Sequence, residues 1–112
     1  MYRHELDGGT CIVNPGAALT LDAPYQFKSF VNELLEKEPV DRLIVTFEDL
    51  NRIDSFGIGV IVGLFKAMRA QDKSFAVTNM SESHRNLFVA TGLDQVIDIF
   101  DTNADALAAM EG

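Results

Sequence analysis

The segment from Leu43 to Arg69 decides the fold, and it begins Leu43-Ile44-Val45-Thr46-Phe47-Glu48-Asp49-Leu50-Asn51-Arg52-Ile53-Asp54-Ser55-Phe56-Gly57-Ile58-Gly59-Val60-Ile61-Val62-Gly63-Leu64-Phe65-Lys66. Its opening residues are mostly apolar and rich in β-branched side chains, which is typical of a strand buried on both faces. A short polar loop follows, and then a long apolar stretch that contains three glycines. This succession predicts a buried strand, a loop and a helix that is buried apart from its first turn.

Asp54 and Ser55 mark the predicted start of that helix. Aspartate is a preferred N-cap, because its carboxylate accepts hydrogen bonds from the unpaired backbone amides of the first turn. Ser55 would then lie in the first turn, where the helix dipole is positive and a phosphate group is well tolerated. We therefore expect a helix from Ser55 to about Ala70, with the Ser55 hydroxyl near its exposed end.

The rest of the chain predicts strands that alternate with helices. Strands are expected at residues 2–6, 10–13, 43–47, 74–78 and 95–100. Helices are expected to begin at Asp22 or Ala23, at Ser55, at residue 81 and after residue 102, and residues 14–21 are expected to form a linker. The order β-β-α-β-α-β-α-β-α implies an α/β fold with a mixed, mostly parallel sheet and an antiparallel hairpin at one edge.

Composition limits the classes of function. With 112 residues, the chain is expected to form a single domain over residues 1–112. The formal net charge is −8, and the Lys and Arg residues do not cluster, so nucleic acid is not an expected partner. The longest apolar run, residues 56–65, is too short to span a bilayer, so no direct membrane contact is expected.

Cys11 is the only cysteine, so an internal disulfide cannot form and a reducing compartment is expected. It follows a predicted hairpin turn and is interpreted as a small buried residue. The first residues lack the apolar core of a signal peptide. Together these features predict a soluble, cytoplasmic protein.

Enzymatic and cofactor-dependent functions find little support in the sequence. A nucleophile elbow, Gly-x-Ser-x-Gly, would place glycine where Ile53 stands. His4 and His84 are the only histidines, and both are expected to be solvated. The glycine spacing after Ser55 differs from that of a dinucleotide loop, and Gly59 and Gly63 are instead expected to let the helix pack closely. We therefore predict a non-enzymatic protein without a metal ion or cofactor.

The element order and two motifs resemble the STAS domain of bacterial anti-sigma factor antagonists. The first motif is a strand and loop followed by Asp-Ser-(Ser/Thr)-Gly-(Leu/Ile)-Gly, which is matched here by Asp54, Ser55, Gly57, Ile58 and Gly59. The second motif resembles Leu87-Phe88-Val89-Ala90-Thr91-Gly92-Leu93. The resemblance covers nearly the whole chain.

The resemblance implies a phosphorylation-controlled binding module. Such a module sequesters an anti-sigma factor that is also a serine kinase, and this kinase, not the module, binds ATP. Ser55 would be the phosphoacceptor, and a PP2C-type phosphatase would restore binding. The resemblance also implies that Asp54 and Gly57 shape the docking loop. We predict that the whole set of partner-binding residues, with the third helix at its edge, is Asp54, Phe56, Gly57, Ile58, Asn51, Arg52, His84 and Arg85.

Two positions depart from the family pattern. Phe56 replaces the usual Ser or Thr after the phosphoacceptor, and it is either an exposed partner contact or a side chain packed under the loop. Leu19 stands where the family pattern Gly-x-x-Asp places an aspartate near the phosphoacceptor. These departures leave an alternative open, in which the chain is a constitutive STAS adaptor of a transporter or a stress-signalling scaffold without a phosphate cycle.

Overall fold

A computed structural model describes residues 2–111; Met1 and Gly112, the two ends of the expected domain, lie outside the described residues. The strands in this range are Arg3–Asp7 (β1), Thr10–Asn14 (β2), Ala18–Leu19 (β3), Arg42–Thr46 (β4), Arg52–Ile53 (β5), Ser74–Thr78 (β6) and Asp98–Phe100 (β7). The helices are Ala23–Lys37 (α1), Ser55–Ala70 (α2), Glu82–Ala90 (α3) and Asn103–Glu111 (α4), and a 3-10 turn covers Leu93–Gln95.

The main sheet has the strand order β1-β2-β4-β6-β7. Strand β1 pairs antiparallel with β2, and every other neighbouring pair in this sheet is parallel. Helices connect the parallel strands, because a parallel pair cannot be joined by a tight turn. The predicted α/β fold with a mixed, mostly parallel sheet is therefore confirmed.

Helices cover both faces of the central strand β4, which explains its almost uninterrupted apolar sequence. Leu43 and Val45 face a core that α1, α2 and α3 complete. Ile44 points to the opposite face, where it packs with Ala76 and with Ala106 of α4. Alternate residues of one strand thus enter two separate apolar layers.

Two segments interpreted as linker and loop form a second, small sheet. Strands β3 and β5 pair in parallel, with Ala18 opposite Arg52 and Leu19 opposite Ile53. Two-residue strands are too short to show an alternating pattern, so they cannot be predicted from the sequence. Their pairing fixes the chain that precedes α1 against the chain that precedes α2.

The last strand is shorter than the expected residues 95–100. Gly92 adopts the left-handed conformation, with φ of 76°, which confirms the predicted glycine stop after α3. The chain then turns again, because the amides of Val96 and Ile97 both donate to the Leu93 carbonyl, at 3.1 and 2.9 Å. Strand β7 can therefore begin only at Asp98.

Cys11 is fully buried in β2, as the sequence predicts. Burial, together with the negative charge of Glu38, raises the pKa of its thiol to about 11. At pH 8 the thiol should therefore carry almost no reactive thiolate.

We expect native protein at pH 8 to react with 5,5′-dithiobis(2-nitrobenzoate) roughly a hundredfold or more slowly than free cysteine does, because the thiolate is both scarce and shielded. Stopped-flow absorbance measures the rate. In 6 M guanidinium chloride the same sample should release one equivalent rapidly. Equal rates in native and denatured samples would contradict the buried position.

Candidate functional site

The site lies where β2 and β4 end at the same edge of the parallel sheet. From there the chain after β2 enters β3, and the chain after β4 enters β5 and then α2. The amides of Asn51 and Arg52 both donate to the Ala17 carbonyl, at 2.7 and 3.1 Å. These bonds and the β3–β5 pairing join the two segments beside the start of α2.

Asp54 caps α2, as the sequence predicts. Its Oδ1 accepts hydrogen bonds from the amides of Phe56 and Gly57, at 3.0 and 3.1 Å. Its Oδ2 accepts a third from the amide of Leu21, at 3.0 Å, and its own amide donates to the Leu19 carbonyl at 3.2 Å. One carboxylate therefore holds both the helix start and the segment that precedes α1.

The three amide donors also determine the charge state of Asp54. The hydrogen bond from Leu21, followed by those from Gly57 and Phe56, lowers the pKa of Asp54 below its ordinary value of 3.8. Asp54 is therefore ionised throughout the neutral range and carries a fixed negative charge directly before Ser55.

Ser55 is the first residue of α2, and it is exposed. Its position in the first turn places it in the positive field of the helix dipole. The first-turn amides of Phe56 and Gly57 are engaged by Asp54, so the integrity of the helix start does not depend on the Ser55 side chain.

Phe56 is exposed, so the interpretation that it packs under the loop is wrong, and its role as a partner contact stays a prediction. Half of its surface, 50%, is open to solvent, and its ring lies 6.1 Å from that of Tyr25 on α1, with an angle of 54° between the planes. The side chain does not pack beneath the loop. It stands on the surface directly beside Ser55.

Gly57 is buried, and the chain passes very close to it. A Cβ atom at this position would lie 2.4 Å from the Leu19 carbonyl oxygen and 2.6 Å from Cγ1 of Ile53. Gly59, by contrast, has nothing within 4 Å of such an atom. The close packing expected at Gly59 and Gly63 occurs instead at Gly57, where the small sheet crosses the helix.

The remaining predicted residues of this loop also lie around Ser55. Asn51 and Arg52 have exposed side chains, and Ile58 is half-buried, with its amide donating to the Asp54 carbonyl at 3.0 Å. Leu19, the second departure from the family pattern, is completely buried. Its side chain is apolar and belongs to the core, so it cannot replace the aspartate that the family pattern places near Ser55.

His84 and Arg85 have different surroundings. The expectation that His84 is solvated is wrong: it is only 7% exposed, and its ring meets that of Phe47 edge to face at 6.0 Å. Its Nδ1 is buried, and none of residues 2–111 provides it with a hydrogen-bond partner. Arg85 forms an ion pair with Asp101, 3.0 Å away at the end of β7.

Leu21 and Tyr25 also belong to the site, although no sequence motif marks them. Leu21 falls within the predicted linker, yet its amide donates to Asp54 and its side chain is 74% exposed. Tyr25 lies outside the apolar face of α1 and is 53% exposed. The signal available was the helical spacing itself, which leaves Tyr25 off the face defined by Phe27 and Val31.

Two properties of residues 2–111 bear on other kinds of site. None of the helices there combines the length and hydropathy that crossing a bilayer requires. The same residues contain no group of three or more His, Cys, Asp or Glu side chains arranged to hold a metal ion.

Comparison with known proteins places this geometry in a family. A family model for the STAS domain matches residues 3–106. The chain belongs to the STAS domain family. Its match to this family confirms the resemblance seen in the motifs around Asp54 and Gly92.

Several relatives of this STAS domain carry names that state a function. The crystal structure of a Thermotoga maritima protein assigned as an anti-sigma factor antagonist is 26% identical and has a TM-score of 0.92, with 99% of this chain and 95% of that chain covered. The anti-sigma-B factor antagonist of Bacillus subtilis is 42% identical over 57 residues, which are 51% of this chain and 52% of the relative. The anti-sigma factor antagonist SpoIIAA in its unphosphorylated form shares the fold, with a TM-score of 0.78 at 21% identity and coverage of 100% and 99%.

Substitution of Gly57 tests the close crossing at the site. In Gly57→Ala the new methyl group would meet the Leu19 carbonyl, so we expect the free energy of unfolding to fall by about 1–3 kcal/mol. Gly59→Ala is the matched control, because its methyl group has open space and alanine is the better helix former, by about 0.5–1 kcal/mol. Urea unfolding followed by circular dichroism measures both. Equal stability of the two variants would refute the crossing.

Asp54→Asn tests the ionised cap. The lowered pKa means that folding favours the charged carboxylate, so its contribution is present above pH 3.8 and is lost as the pH falls through the lower pKa of the folded state. We expect the variant to be less stable than the wild type in urea at pH 7, and the difference to shrink at acid pH. A difference that stays constant from pH 7 to pH 3 would show that charge plays no part.

Proposed function

We propose that this chain is an anti-sigma factor antagonist that sequesters an anti-sigma factor, itself a serine kinase, and that Ser55 is the phosphoacceptor. The observation that carries the proposal is the exposed Ser55 hydroxyl at the start of α2, directly after the Asp54 cap. The names of the relatives from Thermotoga maritima and Bacillus subtilis support the same function.

The proposed contact surface consists of exposed or half-buried residues around Ser55. Asn51 and Arg52 approach it from the loop before the helix, and Phe56 and Ile58 from the helix itself. Asp54 and Gly57 contribute by shaping the backbone, since the carboxylate is engaged and the glycine is buried. We leave His84 and Arg85 out of the direct contact surface because one is buried and the other is paired with Asp101.

A phosphate on Ser55 would be compatible with the fold. The positive end of the helix dipole stabilises an anion in the first turn. The amides of Phe56 and Gly57 stay bound to Asp54, so modification of the neighbouring hydroxyl removes none of the capping bonds. The modified protein would therefore keep its structure and change only its surface.

The same phosphate would oppose binding. It adds about −1.5 to −2 charges at neutral pH, directly beside the ionised Asp54, on a chain whose net charge is already −8. Its bulk would also occupy the contact surface. The binding cycle would thus be controlled at the interface: the kinase releases itself by modifying Ser55, and a PP2C-type phosphatase restores binding.

A pull-down from the native cell extract tests the proposal, with wild-type protein and Ser55→Asp as parallel baits. We expect the wild type to retain a small ATPase-type kinase and Ser55→Asp to lose at least about nine-tenths of it, because the added charge lies in the interface. Quantitative mass spectrometry of the eluates gives the ratio. Incubation of the captured kinase with ATP should then phosphorylate the wild type but not Ser55→Ala.

Ser29→Asp is the matched control, because Ser29 is also exposed and helical and the charge change is the same. It should retain the kinase as well as the wild type does. If both Asp variants retain the same transporter or scaffold protein as the wild type, the constitutive adaptor function applies and Ser55 is only the first residue of a helix.

A further inference from the structure

Three residues around Asp54 and Ser55 have large, exposed side chains. Leu21, Tyr25 and Phe56 are 74%, 53% and 50% exposed, and the two aromatic rings lie 6.1 Å apart. We call these three residues the apolar patch. The tertiary structure brings Phe56 of α2 beside Tyr25 of α1, and Leu21, whose amide donates to Asp54, lies four residues before Tyr25 in the sequence.

Leu21 has no evident role in folding. Its φ is 56°, a left-handed conformation that asparagine and glycine adopt more readily than leucine does. Its amide is held by the Asp54 carboxylate at 3.0 Å, and three quarters of its side chain is in solvent. Neither the backbone geometry nor core packing explains a leucine here, whereas a role in binding would.

The apolar patch is preorganised by the site already described. Asp54 binds the amides of Leu21 and Phe56 with its two carboxylate oxygens, at 3.0 Å each, so it fixes the backbone at both residues. The ring of Phe56 lies against the ring of Tyr25, which belongs to helix α1. A fixed anchor loses less conformational entropy on binding than a mobile one does.

We infer that the apolar patch selects the anti-sigma factor, by inserting into an apolar recess of that protein. This inference rests on the proposed function and names the side chains that determine specificity. The recess should have an uncharged rim. An acidic rim would repel Asp22 and Asp54, which flank the apolar patch of a chain whose net charge is −8, and a basic rim would attract the phosphate that is proposed to weaken binding. The same charges disfavour a second copy of this chain as the occupant, since each copy would bring its own carboxylates to the contact.

The apolar patch also affects what phosphorylation of Ser55 would do, because Phe56 is the next residue. Ser55 stands between the ionised Asp54 and the apolar Phe56, so its phosphate would lie at the edge of the recess. Burial of Phe56 would then require the phosphate to lose water. Phosphorylation would then weaken binding through the apolar patch as well as through the charge and bulk of the phosphate.

Calorimetric titration tests the inference, with the anti-sigma factor captured by the wild-type bait, produced in recombinant form, as the probe. We expect Phe56→Ser, which restores the residue type usual in the family, to raise the Kd about 30-fold, as loss of a central anchor does. Leu21→Asn should raise the Kd about tenfold, through loss of buried apolar area. Its melting temperature should not fall, because asparagine tolerates the left-handed backbone.

Val96→Ser is the matched control, since Val96 is also half exposed, at 52%, but lies beyond α3. It should change the Kd less than twofold. If the wild type binds and both patch variants bind within threefold of it, the inference is overturned and the proposed function stands. If the wild-type bait captures no anti-sigma factor, both the inference and the proposed function are overturned. Sedimentation that shows a wild-type dimer dissociated by Phe56→Ser would assign the apolar patch to self-association and overturn the inference.

Discussion

The structure around Ser55 depends on one carboxylate. Asp54 accepts hydrogen bonds from three backbone amides, two in the first turn of α2 and one at Leu21 in another segment. An N-cap ordinarily satisfies only its own helix. Here the same side chain also positions the chain that leads into α1, so the start of one helix and the approach to another form a single unit.

That unit can form only because Gly57 has no side chain. The Leu19 carbonyl would lie 2.4 Å from a Cβ atom at Gly57, and this carbonyl is also the acceptor of the Asp54 amide. The small β3–β5 sheet rests on the helix at this point, and the Asp54 bonds extend that contact toward Leu21. Because a backbone crossing and a short sheet hold the site, its side chains are presented on a rigid frame. Under the proposed function, a change at the surface of such a frame would alter binding without a change of fold.

The parts of the fold with a periodic or capping signal could be predicted from the sequence. Helix α2 runs from Ser55 to Ala70 as expected, because an aspartate cap and a long apolar segment define it locally. Strands β3 and β5 could not be predicted, since two residues show no period and their pairing is decided by tertiary contacts. Burial of His84 could not be predicted for a related reason, because its contact with Phe47 joins residues that are far apart in the sequence.

The four successive residues from Asp54 to Gly57 have separate structural roles in the site. Asp54 accepts hydrogen bonds from backbone amides, and Gly57 leaves room for the chain at Leu19. Phe56 presents an exposed apolar side chain. Ser55 lies between them with an exposed side chain on which the capping bonds do not depend. This separation would allow the proposed phosphorylation at a critical point of the structure. A phosphate on Ser55 would change charge and bulk where a partner is proposed to approach, while the bonds that hold the helix start belong to its neighbours.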